Sequence, residues 1–193
     1  VTAPPGAAWP RTAGVIPHRS SRRDAVRRQG LPASGPLTLF LELAGCLTVP
    51  ELVAVGDHLV LDPRVLDPSD ARPYMTIDQL VAAVSGATGR GVRAARVAAA
   101  QVRAGVESPM ETLLRLILLA AGLPEPLCGY ELKGVGWFDL AWPRYRTIAE
   151  YDGDGHRTST RQYDRDIRRF DAAADLDWRV IRVRNSGVTS HRE

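Results

Sequence analysis

The chain has 193 residues and a formal net charge of +3, and hydrophobic residues make up 45% of it. These values are typical of a globular protein and allow one domain or two small ones. No apolar run of about 18 residues occurs, so we expect no membrane span and no membrane partner. The N-terminus lacks the basic segment and apolar core of a signal peptide, so we expect a cytoplasmic protein.

The cysteines and the first residue add two further expectations. Cys46 and Cys128 are far apart and lack the spacing of metal ligands, so we expect free thiols in a reducing cytosol. The chain begins with Val1 rather than Met, which leaves two explanations open: a fragment of a longer protein, or an alternative start.

The basic residues are almost all arginine, and Lys133 is the single lysine in the chain. Arginine suits phosphate recognition because its planar fork donates two parallel hydrogen bonds. The same bias also follows from a GC-rich genome, which we take as its main cause. The net charge itself is weak support for a polyanionic partner.

The first half of the sequence is mainly helical after an irregular beginning. We expect residues 1–20 to be poorly ordered, with a short strand near Val15-Ile16. Apolar residues at helical spacing then predict helices that begin near Pro36, Val49, Thr76 and Gly91. The last of these would reach Gly105 and carry a basic face, for which solvation is a more common role than contact with nucleic acid.

Asp57 and His58 lie within the second predicted helix and resemble an acid–base pair. Adjacent residues do not face each other on a helix, however. We therefore expect both to be surface residues or satisfied members of the core.

A boundary near Gly105 divides the chain into a helical region, 1–105, and a second domain, 106–193. Ser108 as N-cap, Pro109 in the first turn and Glu111 at the third position predict a helix start. The following residues up to Ala121 are apolar on nearly all sides, so this helix should be buried.

Three strands, a charged helix and a final strand should follow. We expect the strands at 127–132, 136–142 and 147–152, the helix at 161–174 with Thr158 or Ser159 as its cap, and the last strand at 178–183. This order predicts an α/β sandwich of two or three layers around a mixed central sheet.

Acidic residues within these predicted strands indicate a site. Two-residue alternation places Trp137, Asp139 and Ala141 on one face of the second strand, and Glu150 and Asp152 on one face of the third. The intervening loop is short enough for a hairpin, which would bring Asp139 close to Glu150. Two close carboxylates repel, and a hard divalent cation relieves that repulsion.

Each residue also has an ordinary structural explanation. Glu111 could complete a capping box, Asp139 could face solvent on an edge strand, Asp152 could belong to a turn, and His156 could be a solvated loop residue. Taken singly these explanations are favoured. They weaken jointly because Asp139 and Glu150 each follow an apolar strand core.

Several motifs of the second half occur in a fixed order. They are Ser108-Pro109-x-Glu111-Thr112-x-Leu114-Arg115, Phe138-Asp139-Leu140-Ala141-Trp142, Glu150-Tyr151-Asp152-Gly153-x-x-His156, Asp164-x-Asp166-x-x-Arg169 and Asp177-Trp178-Arg179-Val180-Ile181-Arg182-Val183. Over about residues 106–184 this series resembles the DUF559 endonuclease-like domain, grouped with the very-short-patch-repair endonucleases in the PD-(D/E)XK nuclease superfamily.

The resemblance implies a restriction-endonuclease-like fold. It also implies hydrolysis of DNA with Mg²⁺ or Mn²⁺ as the cofactor. Asp139 and Glu150 would bind the metal, with Glu111 supporting the site from its helix. Asp152 stands where the superfamily pattern has lysine, and it would serve as a further ligand of metal or water. His156 would transfer the proton, because the pKa of a histidine is near neutrality.

Positive charge would have to come from elsewhere. Arg157, Arg161 or Lys133 could replace the missing lysine, and we expect Arg157, Arg161 and Arg169 to lie near nucleic acid. For Arg169, a structural pair with Asp166 is the favoured alternative, since the two are three residues apart on a helix.

The stretch from about Gly30 to Asp57 resembles the region that precedes this domain in actinobacterial proteins related to abortive-infection antitoxins. Their usual winged-helix segment would be absent or truncated here. The main alternative is therefore an inactive DNA-binding regulator or antitoxin-like protein that keeps the nuclease fold. A purely structural interaction module is the third, and a homodimer is left open.

Overall fold

The computed structural model describes residues 2–3, 6–8, 11–14, 18–19, 24–28, 30–153 and 160–184. The predicted strand at Val15-Ile16 and the predicted cap at Thr158 or Ser159 lie outside these residues.

The described residues form six α-helices and eight short or medium strands. The helices are α1 (Pro36–Leu43), α2 (Val49–Val60), α3 (Ile77–Gly86), α4 (Val92–Ala99), α5 (Pro109–Ala120) and α6 (Thr160–Asp175). The strands are β1 (Thr2–Ala3), β2 (His18–Arg19), β3 (Ala25–Arg28), β4 (Leu31–Ser34), β5 (Leu127–Leu132), β6 (Gly136–Trp142), β7 (Thr147–Asp152) and β8 (Arg179–Arg184).

Helices α1 to α4 surround an apolar core that includes Phe40, Leu52 and Leu80, all fully buried. Capping boxes at Thr48 and Thr76 start α2 and α3, where the sequence predicts helices. The elements of this region therefore follow from apolar spacing and cap residues that can be recognised locally.

Helix α4 is shorter than predicted, because it ends at Ala99 rather than continuing to Gly105. The residues that follow turn so that the backbone N–H of Arg103 donates to Asp57 Oδ1 at 2.7 Å. The predicted basic face is partly structural, since Arg96 donates to the carbonyl oxygens of Val84, Ser85 and Ala87 at the end of α3.

The hairpin of β3 and β4 is not predicted by the sequence. Its antiparallel register pairs Arg28 with Leu31 across a two-residue loop that contains Gly30 at φ +80°. Glycine adopts this left-handed conformation without steric cost. The strands have little apolar alternation, and so periodicity gives no signal for them.

The main sheet has the strand order β5-β6-β7-β8. Strands β5, β6 and β7 pair antiparallel, whereas β7 and β8 pair parallel and are connected through α6. The prediction of an α/β fold with a mixed sheet is confirmed.

The sheet lies between α5 and α6, which gives three layers. Leu140 and Ala149 pack with Leu114 of α5. Ala141 and Ile148 pack with Ala173 of α6. Because adjacent residues of β6 and β7 contact different helices, each helix covers one face of the sheet.

The burial predicted for α5 is wrong in part. Leu113, Ile117 and Leu118 are half-buried against the sheet, and Ala120 is exposed. Four other residues of the helix are buried, three of them polar or charged: Glu111, Thr112, Leu114 and Arg115. The apolar residues partly face outward because one side of α5 contacts polar groups of α2 and the neighbouring loops.

The centre of that contact is a buried ion pair between Arg115 of α5 and Asp57 of α2. Their side chains are 0% and 1% exposed, and Nη2 of Arg115 lies 3.3 Å from Oδ2 of Asp57. The same Nη2 donates to the carbonyl of Gln101 at 2.7 Å, and Thr112 Oγ1 donates to Asp57 Oδ2 at 2.8 Å. Asp57 is thus a satisfied core residue, one of the two expected outcomes.

Two sequence expectations about the whole chain also have structural outcomes. Cys46 and Cys128 are free thiols. Within the described part of the chain, every helix is too short or too polar to cross a bilayer.

Replacing Arg115 by Met should lower the free energy of unfolding by about 3–5 kcal/mol, because Asp57 would remain buried without its counter-charge. The control is Arg146→Gln, which removes an exposed pair with Asp177 and should change stability by less than about 1 kcal/mol. Urea unfolding followed by circular dichroism measures both. An Arg115→Met variant as stable as the parent would show that the pair does not join α2 to α5.

Candidate functional site

The candidate site begins where the ladder between β6 and β7 opens. The register pairs Trp142 with Thr147 and Leu140 with Ala149, and its next position would join Asp139 to Glu150. At that position the side-chain carboxylates accept the backbone hydrogen bonds in place of the carbonyl oxygens of the ladder. Glu150 Oε2 accepts from the N–H of Asp139 at 3.1 Å, and Asp139 Oδ2 accepts from the N–H of Tyr151 at 2.7 Å.

This reciprocal exchange brings the two acids together where the β6–β7 ladder stops, within the sheet rather than at the predicted end of it. Asp139 lies in β6 and Glu150 in β7, and Glu150 is 8% exposed. The strands fix both side chains because each carboxylate is hydrogen-bonded to the backbone of the other strand. The proximity is therefore a property of the backbone register rather than of flexible side chains.

The regular alternation of side chains breaks at Asp139, contrary to the prediction. Phe138 packs on the α6 side of the sheet and Leu140 on the α5 side, although strict alternation would place both on one face. The break lies opposite Gly129 of β5, which has φ +56°. A Cβ atom on Gly129 would lie 2.5 Å from the carbonyl oxygen of Gly105, so only glycine permits this approach.

Glu111 supplies a third carboxylate from the first turn of α5. Ser108 caps the helix as predicted, by accepting from the N–H of Glu111 at 3.2 Å. The Glu111 side chain accepts from the N–H of Glu107 at 2.9 Å, one residue before the partner that a capping box would use. Glu111 is 8% exposed.

The three carboxylates influence one another electrostatically. Burial raises the pKa of Asp139 well above its ordinary value, and the charges of Glu150 and Glu111 raise it further. Burial also raises the pKa of Glu111, to which the charges of Glu107 and Glu150 contribute. For Glu150, burial raises the pKa more than the charge of Arg169 lowers it. The site thus holds acids that are costly to ionise together.

Arg169 of α6 binds directly to this cluster. Its Nη2 donates to Glu150 Oε1 and to Asp166 Oδ1, and its Nη1 donates to the carbonyl of Trp137. The predicted pair of Arg169 with Asp166 is therefore present. Contact with nucleic acid stays a prediction, but the structure assigns the guanidinium to holding Glu150.

Asp152 has an arginine partner of its own in β8. Its Oδ2 accepts from Arg182 Nη2 of β8 at 2.7 Å, across the parallel pairing of β7 with β8. The carboxylates that raise the pKa of Asp139 most are Glu150 and Glu111. Three of the four predicted ligands, Asp139, Glu150 and Glu111, thus interact electrostatically.

Arg64, in the loop after α2, reaches the site from the helical region and was not predicted. Its Nε donates to Glu107 Oε1 at 2.6 Å, its Nη2 donates to Glu107 Oε2, and its guanidinium lies 5.4 Å from the ring centre of Trp137. Its charge interacts with Asp139 and Glu111. The contact joins residues 43 apart, and no periodic signal marks such a contact in one sequence.

The remaining predicted residues have different outcomes. His156 and Arg157, and the side chain of Arg161, lie outside the described residues. Lys133 is exposed in the turn between β5 and β6. Proton transfer by His156 and the replacement of the missing lysine by Arg157 or Arg161 therefore remain predictions.

The donor set matches the chemistry of a hard divalent cation, although it is not preassembled. Carboxylate oxygens are the ligands that Mg²⁺ and Mn²⁺ prefer, and a cation would relieve the repulsion that raises the pKa of Asp139. Within the described residues, no three His, Cys, Asp or Glu side chains already surround one point at ligand spacing. Asp139, Glu150 and Glu111 are the residues that would hold the ion.

Comparison with known proteins finds two mycobacterial relatives. They are "Uncharacterized protein Rv2248" of Mycobacterium tuberculosis strain H37Rv and "Uncharacterized protein MT2308" of strain CDC 1551, each 30% identical to this chain over 183 residues. The match covers 93% of this chain but 64% of the length of these curated relatives. No protein-family model matches the chain, and no solved structure matches it.

The raised pKa values predict a pH-dependent effect of Asp139→Asn in the presence of EDTA. An acid whose pKa is higher in the folded state favours folding below its unfolded pKa of about 4, and this stabilisation is lost as pH rises through the folded pKa. The variant should therefore melt at a higher temperature than the parent at pH 7, with a smaller difference near pH 4.

Thermal unfolding followed by circular dichroism at the two pH values tests this effect. The control Asp152→Asn, which loses the pair with Arg182, should not gain stability at pH 7. An Asp139→Asn variant with the parent's melting temperature at pH 7 would contradict the assignment of repulsion to this cluster.

Proposed function

We propose that the protein is a metal-dependent endonuclease that hydrolyses phosphodiester bonds of DNA, with a restriction-endonuclease-like second domain. The motifs that resemble the DUF559 domain support this proposal from the sequence. The α5-β5-β6-β7-α6-β8 order is compatible with it, because this order gives the α/β sandwich with a mixed sheet that the sequence predicts.

The observation that carries the proposal is the exchange of hydrogen bonds between Asp139 and Glu150. It fixes two acids at the opened end of an antiparallel ladder and leaves both with raised pKa values. Acids that serve structure alone are usually paired with bases or exposed. An arrangement that keeps carboxylates close despite repulsion favours a cation-binding role.

The protein's own residues have distinct tasks in this proposal. Asp139, Glu150 and Glu111 bind Mg²⁺ or Mn²⁺, and Arg169 orients Glu150 through its hydrogen bond to Oε1. The bound ion would activate water and stabilise negative charge on the phosphate. His156 is proposed as the proton-transfer residue on the basis of its sequence context. The chain spans 64% of the length of its curated relatives, so the substrates and partners of the whole protein are also proposals.

The alternative is a DNA-binding regulator or antitoxin-like protein that keeps the fold without catalysis. The observation that favours it is Asp152, which stands where the resembling superfamily has lysine and which binds Arg182. An anion cannot stabilise an attacking hydroxide electrostatically. Metal-independent retardation of one promoter fragment would support this alternative.

Plasmid nicking in Mg²⁺ or Mn²⁺ tests the proposed activity. Asp139→Asn and Glu150→Gln should each reduce the rate by about a hundredfold or more, because each removes a ligand charge while keeping the side-chain shape. Asp177→Asn is the matched control, since Asp177 is a highly exposed acid paired with Arg146, and it should cut at the parent's rate.

The contrary results are equally specific. Asp139→Asn and Glu150→Gln variants that nick as fast as the parent would remove the assigned site. A parent protein that nicks no DNA with either metal would remove the proposed activity and favour the regulator.

A further inference from the structure

The acidic cluster has two arginine neighbours, and they differ in how their donors are used. Both Nη atoms of Arg169 donate to protein acceptors, namely Glu150, Asp166 and the carbonyl of Trp137. Arg64 uses Nε and Nη2 for Glu107, and its Nη1 makes no hydrogen bond within the described part of the chain. Nη1 of Arg64 is thus a cationic donor that remains available beside the cluster.

Arg64 is held in one orientation by contacts on two sides. Glu107 binds the guanidinium through both carboxylate oxygens, and the ring of Trp137 lies 5.4 Å from its central carbon. A forked pair of this kind restricts an arginine more than a single hydrogen bond does. Because Glu107 also donates its N–H to Glu111, the same residue connects Arg64 with the carboxylate cluster.

The position of Arg64 is accessible to a large ligand. Its side chain is 37% exposed, and the next two residues of the loop, Val65 and Leu66, are 86% and 70% exposed. An exposed pair such as that with Glu107 contributes little to stability. Holding an arginine at this place therefore has a small structural benefit, whereas its charge acts on Asp139 and Glu111.

We propose that Arg64 is a substrate-binding residue whose Nη1 donates to a phosphate oxygen of the DNA backbone beside the carboxylate cluster. This inference rests on the proposed function. It assigns to the helical region a part of the site, since Arg64 follows α2 and the carboxylates follow Gly105 in the chain. Arg64 would also supply the positive charge that is missing at position 152, where the superfamily pattern has lysine and this chain has Asp152.

Guanidinium groups match phosphate because two N–H donors lie in the plane of the acceptor oxygens. With Nε and one hydrogen of Nη2 bound to Glu107, the outer hydrogens of Nη1 and Nη2 remain as a parallel pair for the phosphate. A contact of this kind is independent of base sequence and releases counterions, so it contributes to the salt dependence of binding. That dependence separates a phosphate contact from a purely structural role of Arg64.

Fluorescence anisotropy of a labelled DNA duplex, in EDTA and again in Ca²⁺, measures binding over a series of salt concentrations. Arg64→Gln should weaken binding about tenfold and lower the slope of log affinity against log salt by about one. Arg146→Gln is the matched control, because Arg146 is an exposed arginine paired with Asp177, and it should bind like the parent. Arg64→Lys should keep the slope and recover part of the affinity.

Each outcome has a defined meaning. If the parent nicks DNA and Arg64→Gln binds DNA with the parent's affinity and salt slope, the role of Arg64 is overturned and the proposed function stands. A parent that neither binds nor nicks DNA overturns both. If Arg64→Gln does not fold by circular dichroism, Arg64→Lys decides: the parent's slope with reduced affinity supports the contact, and unchanged affinity overturns it.

Discussion

The buried ion pair of Arg115 and Asp57 is the interaction on which the arrangement of the molecule depends. Both charges are removed from water, which is costly unless each is paired and hydrogen-bonded. Asp57 accepts from Arg103, Thr112 and Arg115, and Arg115 also reaches Glu125. This network binds α2 and the loop after α4 to the first half of α5, so the helical region is fixed relative to the sheet.

The Arg115–Asp57 ion pair also positions residues of the candidate site. Glu111 lies one helical turn before Arg115 on α5, and Arg64 lies in the loop that leaves α2. The ion pair therefore sets the positions of two site residues that come from opposite sides of Gly105. The close approach of Gly105 to Gly129 fixes the same region against β5, next to Asp139. The site is thus formed by both halves of the chain, although its acids lie in the second.

The carboxylate cluster stands in contrast to the satisfied network around Arg115. There, three donors surround one acid. Burial raises the pKa of Asp57 even so. At Asp139, two neighbouring acids add to the effect of burial on the pKa, and the N–H of Tyr151 and the charge of Arg169 oppose them. Such unfavourable groupings persist where function requires them and the surrounding structure compensates.

The sequence predicts the elements of this fold well because their signals are local. Apolar spacing, the helix starts at Val49, Thr76 and Ser108, and the short loop between β6 and β7 depend on neighbouring residues. The approach of Asp139 to Glu150 was predictable because it follows from that hairpin. Arg64 with Glu107, and Arg115 with Asp57, join residues 43 and 58 positions apart, and local patterns carry no signal for such pairs. The polar side of α5 was missed for the same reason.

Binding of Mn²⁺ tests the central claim, that Asp139, Glu150 and Glu111 form a divalent-cation site where the ladder opens. Electron paramagnetic resonance of the free ion, recorded during titration of the protein, measures binding without any nuclease activity. We expect saturable binding to the parent and to Asp152→Asn, and loss of that binding in Asp139→Asn. A parent without saturable binding, or an Asp139→Asn variant that binds as the parent does, would contradict it.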